Sequence, residues 1–162
     1  LDASNPKEDT MTSPRTKLLA LYALMGLAAF LCSLPSFLLQ NAGYGLVCAV
    51  LILGYVLRSI SLEESLEKNH AKFIIRGIWV YSLIGTIGAM GAGIIVSQEG
   101  DFSALDQIMT APENAEALLN SYFETNRDLI EKTTRIWMLP AQIYLIWRTA
   151  RGLSRSAKSY RI

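Results

Sequence analysis

The amino-acid sequence predicts an all-α integral membrane protein with four transmembrane helices and an extra amphipathic helix between spans 3 and 4. Three observations carry that prediction. Leu18 to Leu57 contains no Asp, Glu, Lys, Arg or His over 40 residues. Gly77 to Gln98 is a second charge-free run, of 22 residues. The charges that remain are sorted by region, so the net charge of +1 averages over strongly unlike segments. A helix of roughly 20 apolar residues crosses the ~30 Å hydrocarbon core of a bilayer. A soluble domain of 162 residues would keep a polar stripe on each helix, and these runs have none.

Residues 1–16 read as a disordered leader on the cytoplasmic side. Arg15 and Lys17 then precede an apolar stretch, as in a secretory signal, but no small-x-small cleavage site follows and the apolar character runs too long. The stretch is therefore expected to be retained as span 1. A single helix of 40 residues would reach about 60 Å, so the first run must hold two spans. The break is expected at Gln40-Asn41-Ala42-Gly43-Tyr44-Gly45, whose amides and glycines suit a turn. This gives span 1 at about 17–39 and span 2 at about 44–61. Span 1 holds nine leucines and two phenylalanines, each favouring insertion by roughly 0.5 kcal/mol, which outweighs Ser33, Pro35 and Ser36. Pro35 is expected to kink its outer end.

Ser61-Leu62-Glu63-Glu64 matches a capping box, so a helix is expected to start near Ser61 and continue into span 3, about 75–97. Glu64 and Lys68 are placed to pair across one turn. Trp79 falls where interfacial tryptophans are enriched. Span 3 contains GTIGAMGAG, in which Gly85, Ala89 and Gly93 recur every four residues, with Gly88 and Ala92 alongside, and are expected to let helices approach closely. Packing within the chain is the favoured use of that stripe, and self-association into a homo-oligomer is the alternative.

Residues 98–131 form an acidic segment with eight carboxylates and one base, Arg127. Thr110-Ala111-Pro112-Glu113 is a second candidate capping box. After it, Ala115, Leu118, Leu119, Tyr122, Phe123, Leu129 and Ile130 make one helical stripe. An amphipathic helix for anionic lipid would carry a basic polar face. This face is acidic, so it is expected to cap its own bundle or dock a membrane or envelope partner. Span 4 is placed at about 133–150. Its uncharged core, Ile136 to Trp147, has only 12 residues, with Arg135 and Arg148 expected to snorkel to opposite interfaces and Pro140 to kink it. Trp137, Tyr144 and Trp147 would form aromatic belts.

With the amino terminus cytoplasmic, twelve cations fall inside and three outside, which satisfies the positive-inside rule. The expectation is a bacterial inner-membrane protein with both termini in the cytoplasm. Its basic tail, 153–162, and the span end before it would attract anionic headgroups by about 1 kcal/mol per cation. Nucleic acid is not an expected partner.

At NHAKFIIRGIW and IYLIWRTARGL the chain resembles small bacterial multi-span membrane proteins of unknown function that are distantly similar to a chloroplast inner-envelope translocon (Tic) component. The resemblance rests on His70, Arg76 and Trp79 in the first motif and Tyr144, Arg148, Arg151 and Gly152 in the second. It implies a fold and almost nothing about activity.

No residue pattern points to catalysis, a cofactor or a metal. His70 is the chain's single histidine and has only Glu67 at an ordinary i−3 spacing. One histidine with Cys32 and Cys48 on other helices does not make a closed ligand set. No phosphate-binding loop, nucleophile elbow or Glu-x-x-His pair occurs. The expected role is that of a non-enzymatic interaction or scaffold protein. A passive channel or translocation component is the alternative, and a small membrane enzyme using His70 comes third.

Overall fold

A computed structural model describes residues 14–34, 36–108, 111–158 and 160. They fold into α1 (Pro14–Ser33), α2 (Phe37–Ile60), α3 (Leu66–Glu99), α4 (Ser103–Ile108), α5 (Ala115–Thr125) and α6 (Arg127–Ala157). A 3-10 turn, Pro112–Asn114, precedes α5, and no strand occurs among the described residues. The chain is all-helical, as its periodicity predicts. Most of the predicted leader, residues 1–13, lies outside the described residues, but Pro14, Arg15 and Thr16 already belong to α1.

Among the described residues three helices, α1, α2 and α3, are long and apolar enough to cross a membrane. Four were predicted. The fourth predicted span lies inside α6, whose 31 residues give it ample length, about 46 Å. Its charges are too closely spaced for an apolar window of spanning length: Arg135 and Arg148 bracket 12 uncharged residues. Helix α6 continues to Ala157, into the predicted basic tail.

The break between the first two helices falls at 34–36, not at 40–45. Gln40 to Gly45 are helical, inside α2. Pro35 lies outside the described residues, but a proline disfavours helical backbone at the residue before it and has no N–H to offer. The amide and glycine that suggested a turn have other uses. Gln40 Nε2 donates to the Leu34 carbonyl at 2.8 Å, satisfying a group left open at the end of α1. Gly43 is a contact point: a Cβ there would sit 2.7 Å from Cys32 Sγ and 2.8 Å from the Cys32 amide nitrogen. Helices α1 and α2 touch where glycine has no side chain.

The start of α3 is likewise four residues later than the capping box suggests. Ser61 ends α2, its amide donating to the Leu57 carbonyl at 3.1 Å. Its own hydroxyl has no hydrogen-bond partner among the described residues. Ser65 takes over the cap: its Oγ accepts from the Lys68 amide at 3.2 Å, with Glu67 in the favourable first turn. Lys68 pairs with Glu63, at 2.6 Å, and not with Glu64. That contact holds the Glu63 carboxyl below its ordinary range, chiefly through the hydrogen bond from Lys68.

The chain divides into two compact units, Leu1–Ile78 with Ile146–Ile162, and Trp79–Leu145. In the first, α1 turns Leu18, Leu21, Tyr22, Met25, Ala28, Ala29 and Cys32 inward, a 3–4 spaced stripe. Val47 and Val50 of α2 and Ala71, Ile74, Ile75 and Ile78 of α3 complete its apolar core. In the second, the core is small and includes Tyr81, Ala92, Ala141 and Leu145. Leu83, Ile87, Met90 and Ile94 lie on the outside of α3 there.

In the second unit Asn126 interrupts the predicted amphipathic helix. It is buried, and α5 ends and α6 begins on either side of it. Its Oδ1 accepts from the Asp101 amide at 2.7 Å, while Nδ2 donates to the Asp101 carbonyl at 2.8 Å and the Tyr122 carbonyl at 3.0 Å. The side-chain amide thus pairs with Asp101 as a peptide group would. Leu129 and Ile130, read as the end of the amphipathic stripe, belong to α6. Thr110 of the second capping box lies outside the described residues, and α5 begins after the 3-10 turn. Asp101 also accepts from the Ser103 amide at 2.9 Å, which holds its carboxyl below the ordinary range.

Candidate functional site

The first unit gathers most of its buried polar chemistry at one point. His70, on the first turns of α3, is completely buried. Its Nδ1 lies 3.0 Å from the Tyr22 hydroxyl and its Nε2 lies 2.9 Å from the Tyr160 carbonyl oxygen. A carbonyl only accepts, so Nε2 carries the hydrogen; in the neutral ring Nδ1 then accepts from Tyr22. The two rings meet edge to face, with centroids 5.7 Å apart at 77°. Both ring nitrogens are therefore engaged. Glu67, the partner that sequence spacing offers, pairs with Lys17 at 4.0 Å instead.

Tyr22 in turn requires Gly152. A Cβ at position 152 would collide with Cε1, Cζ and Oη of Tyr22. Gly26 on α1 faces the Thr149 methyl, 3.5 Å from where its Cβ would lie. Glycines on both helices thus admit α1 and α6 to each other.

Arg148 lies one turn from Gly152 on α6. Its guanidinium is 3.4 Å from the centroid of the Phe73 ring, and Nη2 donates to the Phe73 carbonyl at 3.0 Å. Gly77 makes room for it, since a Cβ there would sit 2.9 Å from Arg148 Nε. Residue i+4 of a helix overhangs the carbonyl of residue i, so a glycine at 77 exposes the Phe73 carbonyl to an incoming donor. Arg148, expected to snorkel, is half-buried in this seam. A cation–π contact and a charged hydrogen bond hold it against α3.

Of the positions singled out in the sequence, His70, Arg148 and Gly152 belong to this cluster. Arg76, Trp79 and Arg151 do not: all three are exposed. Arg151 stacks over Trp147, at 5.5 Å from its ring centroid. Tyr22, Phe73, Gly77 and Tyr160 complete the cluster; helical spacing places Phe73 and Gly77 on one side of α3, and no spacing marks Tyr22 or Tyr160 as site residues. Tyr22 had a signal, as the one tyrosine in α1, because a hydroxyl inside an apolar helix needs a partner.

The glycine-rich part of α3 packs differently from its four-residue stripe. Gly85 is buried against Met138, whose Cε is 3.4 Å from the site of a Cβ, but Gly93 has open space and Ala89 is exposed. The close contacts are at Gly88, against the Trp137 backbone, and Gly91, under the Trp137 ring. Each four-residue step rotates about 40° around a helix, so 85, 89 and 93 drift away from the contact line. Alternating steps of three and four, through 85, 88 and 92, stay on it. The side chains of Trp137 and Met138 fill the space beside these glycines.

No group of three or more His, Cys, Asp or Glu side chains able to hold a metal occurs among the described residues. Cys32 and Cys48 form no disulfide, and the first is buried and the second exposed. A depression of about 180 Å³ between α3 and α6 in the second unit has an apolar floor of Ile95, Leu129, Ile136 and Trp137. Glu99, Lys132 and Thr133 complete its lining. The chain matches no protein-family model, no curated protein and no solved structure.

Proposed function

We propose that this chain is a multi-pass membrane protein that works through contacts with lipid and with membrane or envelope partners, and not through chemistry of its own. The observation that carries the reading is the use made of its buried polar groups. His70 has both ring nitrogens in hydrogen bonds to Tyr22 and Tyr160, and Arg148 is held on Phe73. Such groups specify how helices meet. The apolar exteriors of α1, α2 and α3 support the membrane part of the reading.

In this reading α6 supplies a fourth span, kinked at Pro140 and flanked by Arg135 and Arg148, to complete a four-helix bundle. Both termini are cytoplasmic, in a bacterial inner membrane, and the acidic segment lies on the far side. Segregation of charge supports that orientation. The first unit has ten described cations against Glu63, Glu64 and Glu67, whereas the second has eight acids against Arg127, Lys132 and Arg135. The exposed Leu119 and Phe123 on acidic α5 are the proposed protein-contact positions.

Alkaline carbonate washing of membranes from cells making the chain tests the first part, and the chain should stay in the pellet. Photocrosslinking residues at 119 and 123 should each yield the same discrete adduct, absent when the crosslinker is moved to Ser121, exposed on the opposite face of α5. Recovery in the carbonate supernatant, or no adduct at either position in intact cells, counts against the proposal.

A further inference from the structure

Arg148 is turned into the seam between α3 and α6, but the cations around it point outward. Lys72 and Arg76 are the chain neighbours of Phe73 and Gly77, the two α3 residues that receive Arg148. Arg151 follows Arg148 by one turn on α6. All three are exposed, and none makes an ion pair among the described residues. Of the first unit's acids, Glu67 faces Lys17 and Glu63 bonds Lys68, with Lys72 acting on Glu63 only as a weaker, longer-range charge. Like charges gathered on one surface repel unless an anion lies among them.

What adjoins this patch indicates the kind of anion. Arg151 stacks on Trp147, and Ile146 and Trp147 are 53% and 50% exposed. A cationic patch thus runs directly into an exposed apolar one on the same helix. That is the complement of an amphiphile with a negative head, and indole rings favour the headgroup level of a bilayer. We infer that Lys72, Arg76 and Arg151 form a docking surface for the phosphate of an anionic phospholipid, with its acyl chain along Ile146 and Trp147. The inference rests on the membrane reading above and moves the lipid contact from the terminal tail to the α3–α6 seam.

The test uses the full chain in nanodiscs of phosphatidylcholine with and without phosphatidylglycerol, reading the lipid retained by native mass spectrometry. Wild type should retain phosphatidylglycerol preferentially, and each neutralisation among Lys72→Gln, Arg76→Gln and Arg151→Gln should cut that preference about fivefold, from about 1 kcal/mol per cation. The triple variant Arg15→Gln, Arg58→Gln, Lys158→Gln removes as much charge from the same unit and should keep it. A loss in that control equal to the loss in the combined Lys72→Gln, Arg76→Gln, Arg151→Gln variant overturns the site, as does retention of inorganic phosphate equal to that of the lipid. Incorporation into neutral discs without any phosphatidylglycerol preference overturns the docking surface and leaves the membrane reading standing. Failure to incorporate into either disc overturns both.

Discussion

The Tyr22 ring lies directly on the backbone of α6 at Gly152, with no room between them for a methyl group. Overpacking at such a point costs about 1–3 kcal/mol. Gly152→Ala should therefore lower the unfolding midpoint in detergent, measured by circular dichroism. Tyr22→Leu removes the obstructing ring, so the two changes together should cost less than their sum. Strict additivity would show that the ring and the glycine do not meet.

Tyr22→Phe keeps the ring and removes only the hydroxyl. It leaves His70 Nδ1 buried without its donor, at a cost of about 1–3 kcal/mol. The nitrogen-15 spectrum of His70 in the unmodified chain should show Nε2 protonated and Nδ1 bare at neutral pH. The opposite tautomer would contradict the bond to the Tyr160 carbonyl.

Arg148→Lys keeps the charge but gives up the planar contact with Phe73. A loss of about 1–2 kcal/mol is expected in thermal unfolding, from a cation–π contact and a charged hydrogen bond. Gly77→Ala should produce part of the same loss by displacing the Arg148 side chain.

On α3, Gly88→Ala and Gly93→Ala separate a packed glycine from an open one. The first drives a methyl into the Trp137 backbone and should destabilise the chain by about 1–3 kcal/mol. The second meets no atom and should stabilise the helix by about 0.5–1 kcal/mol. Unfolding midpoints moving in the same direction would refute the assigned contact line.

The Asp101 carboxyl lies below its ordinary range because the Ser103 amide donates to it. A depressed carboxyl contributes stability above its unfolded value and loses it as pH falls through the lower folded value. The start of α4 should thus keep its amide protection down to about pH 4 and lose it only below. Carbon-13 titration of Asp101 checks this, and Ser103→Pro, which removes the donor at a position where proline fits a helix, should return the midpoint to the ordinary range.

The large features of the fold were legible because solvent preference is written in long runs. Charge-free stretches gave α1, α2 and the apolar length of α3, and the density of acids gave the segment between α3 and α6. Contacts were harder to read. Gln40 and Gly43 look like turn residues by the rules of water-exposed loops, yet one caps the Leu34 carbonyl and the other admits Cys32. In an apolar helix every face is apolar, so hydropathy does not separate Met25, which is buried, from Leu27, which is exposed. Small residues carry that information, and Gly152 and Gly77 can be interpreted only once Tyr22 and Arg148 are seen against them. Of the candidate cluster, His70 stood out as the chain's one imidazole. Its partners at positions 22 and 160 lie on elements that no local spacing rule connects to it.

The last bond of that cluster has a consequence for how the chain can change. His70 is held on one side by a phenol, which a single codon change removes, and on the other by a peptide carbonyl, which every amino acid supplies. The side chain at position 160 is itself 60% exposed. Descendants of this gene can therefore rewrite that position freely and keep the contact, whereas shortening the chain before it would break the contact outright.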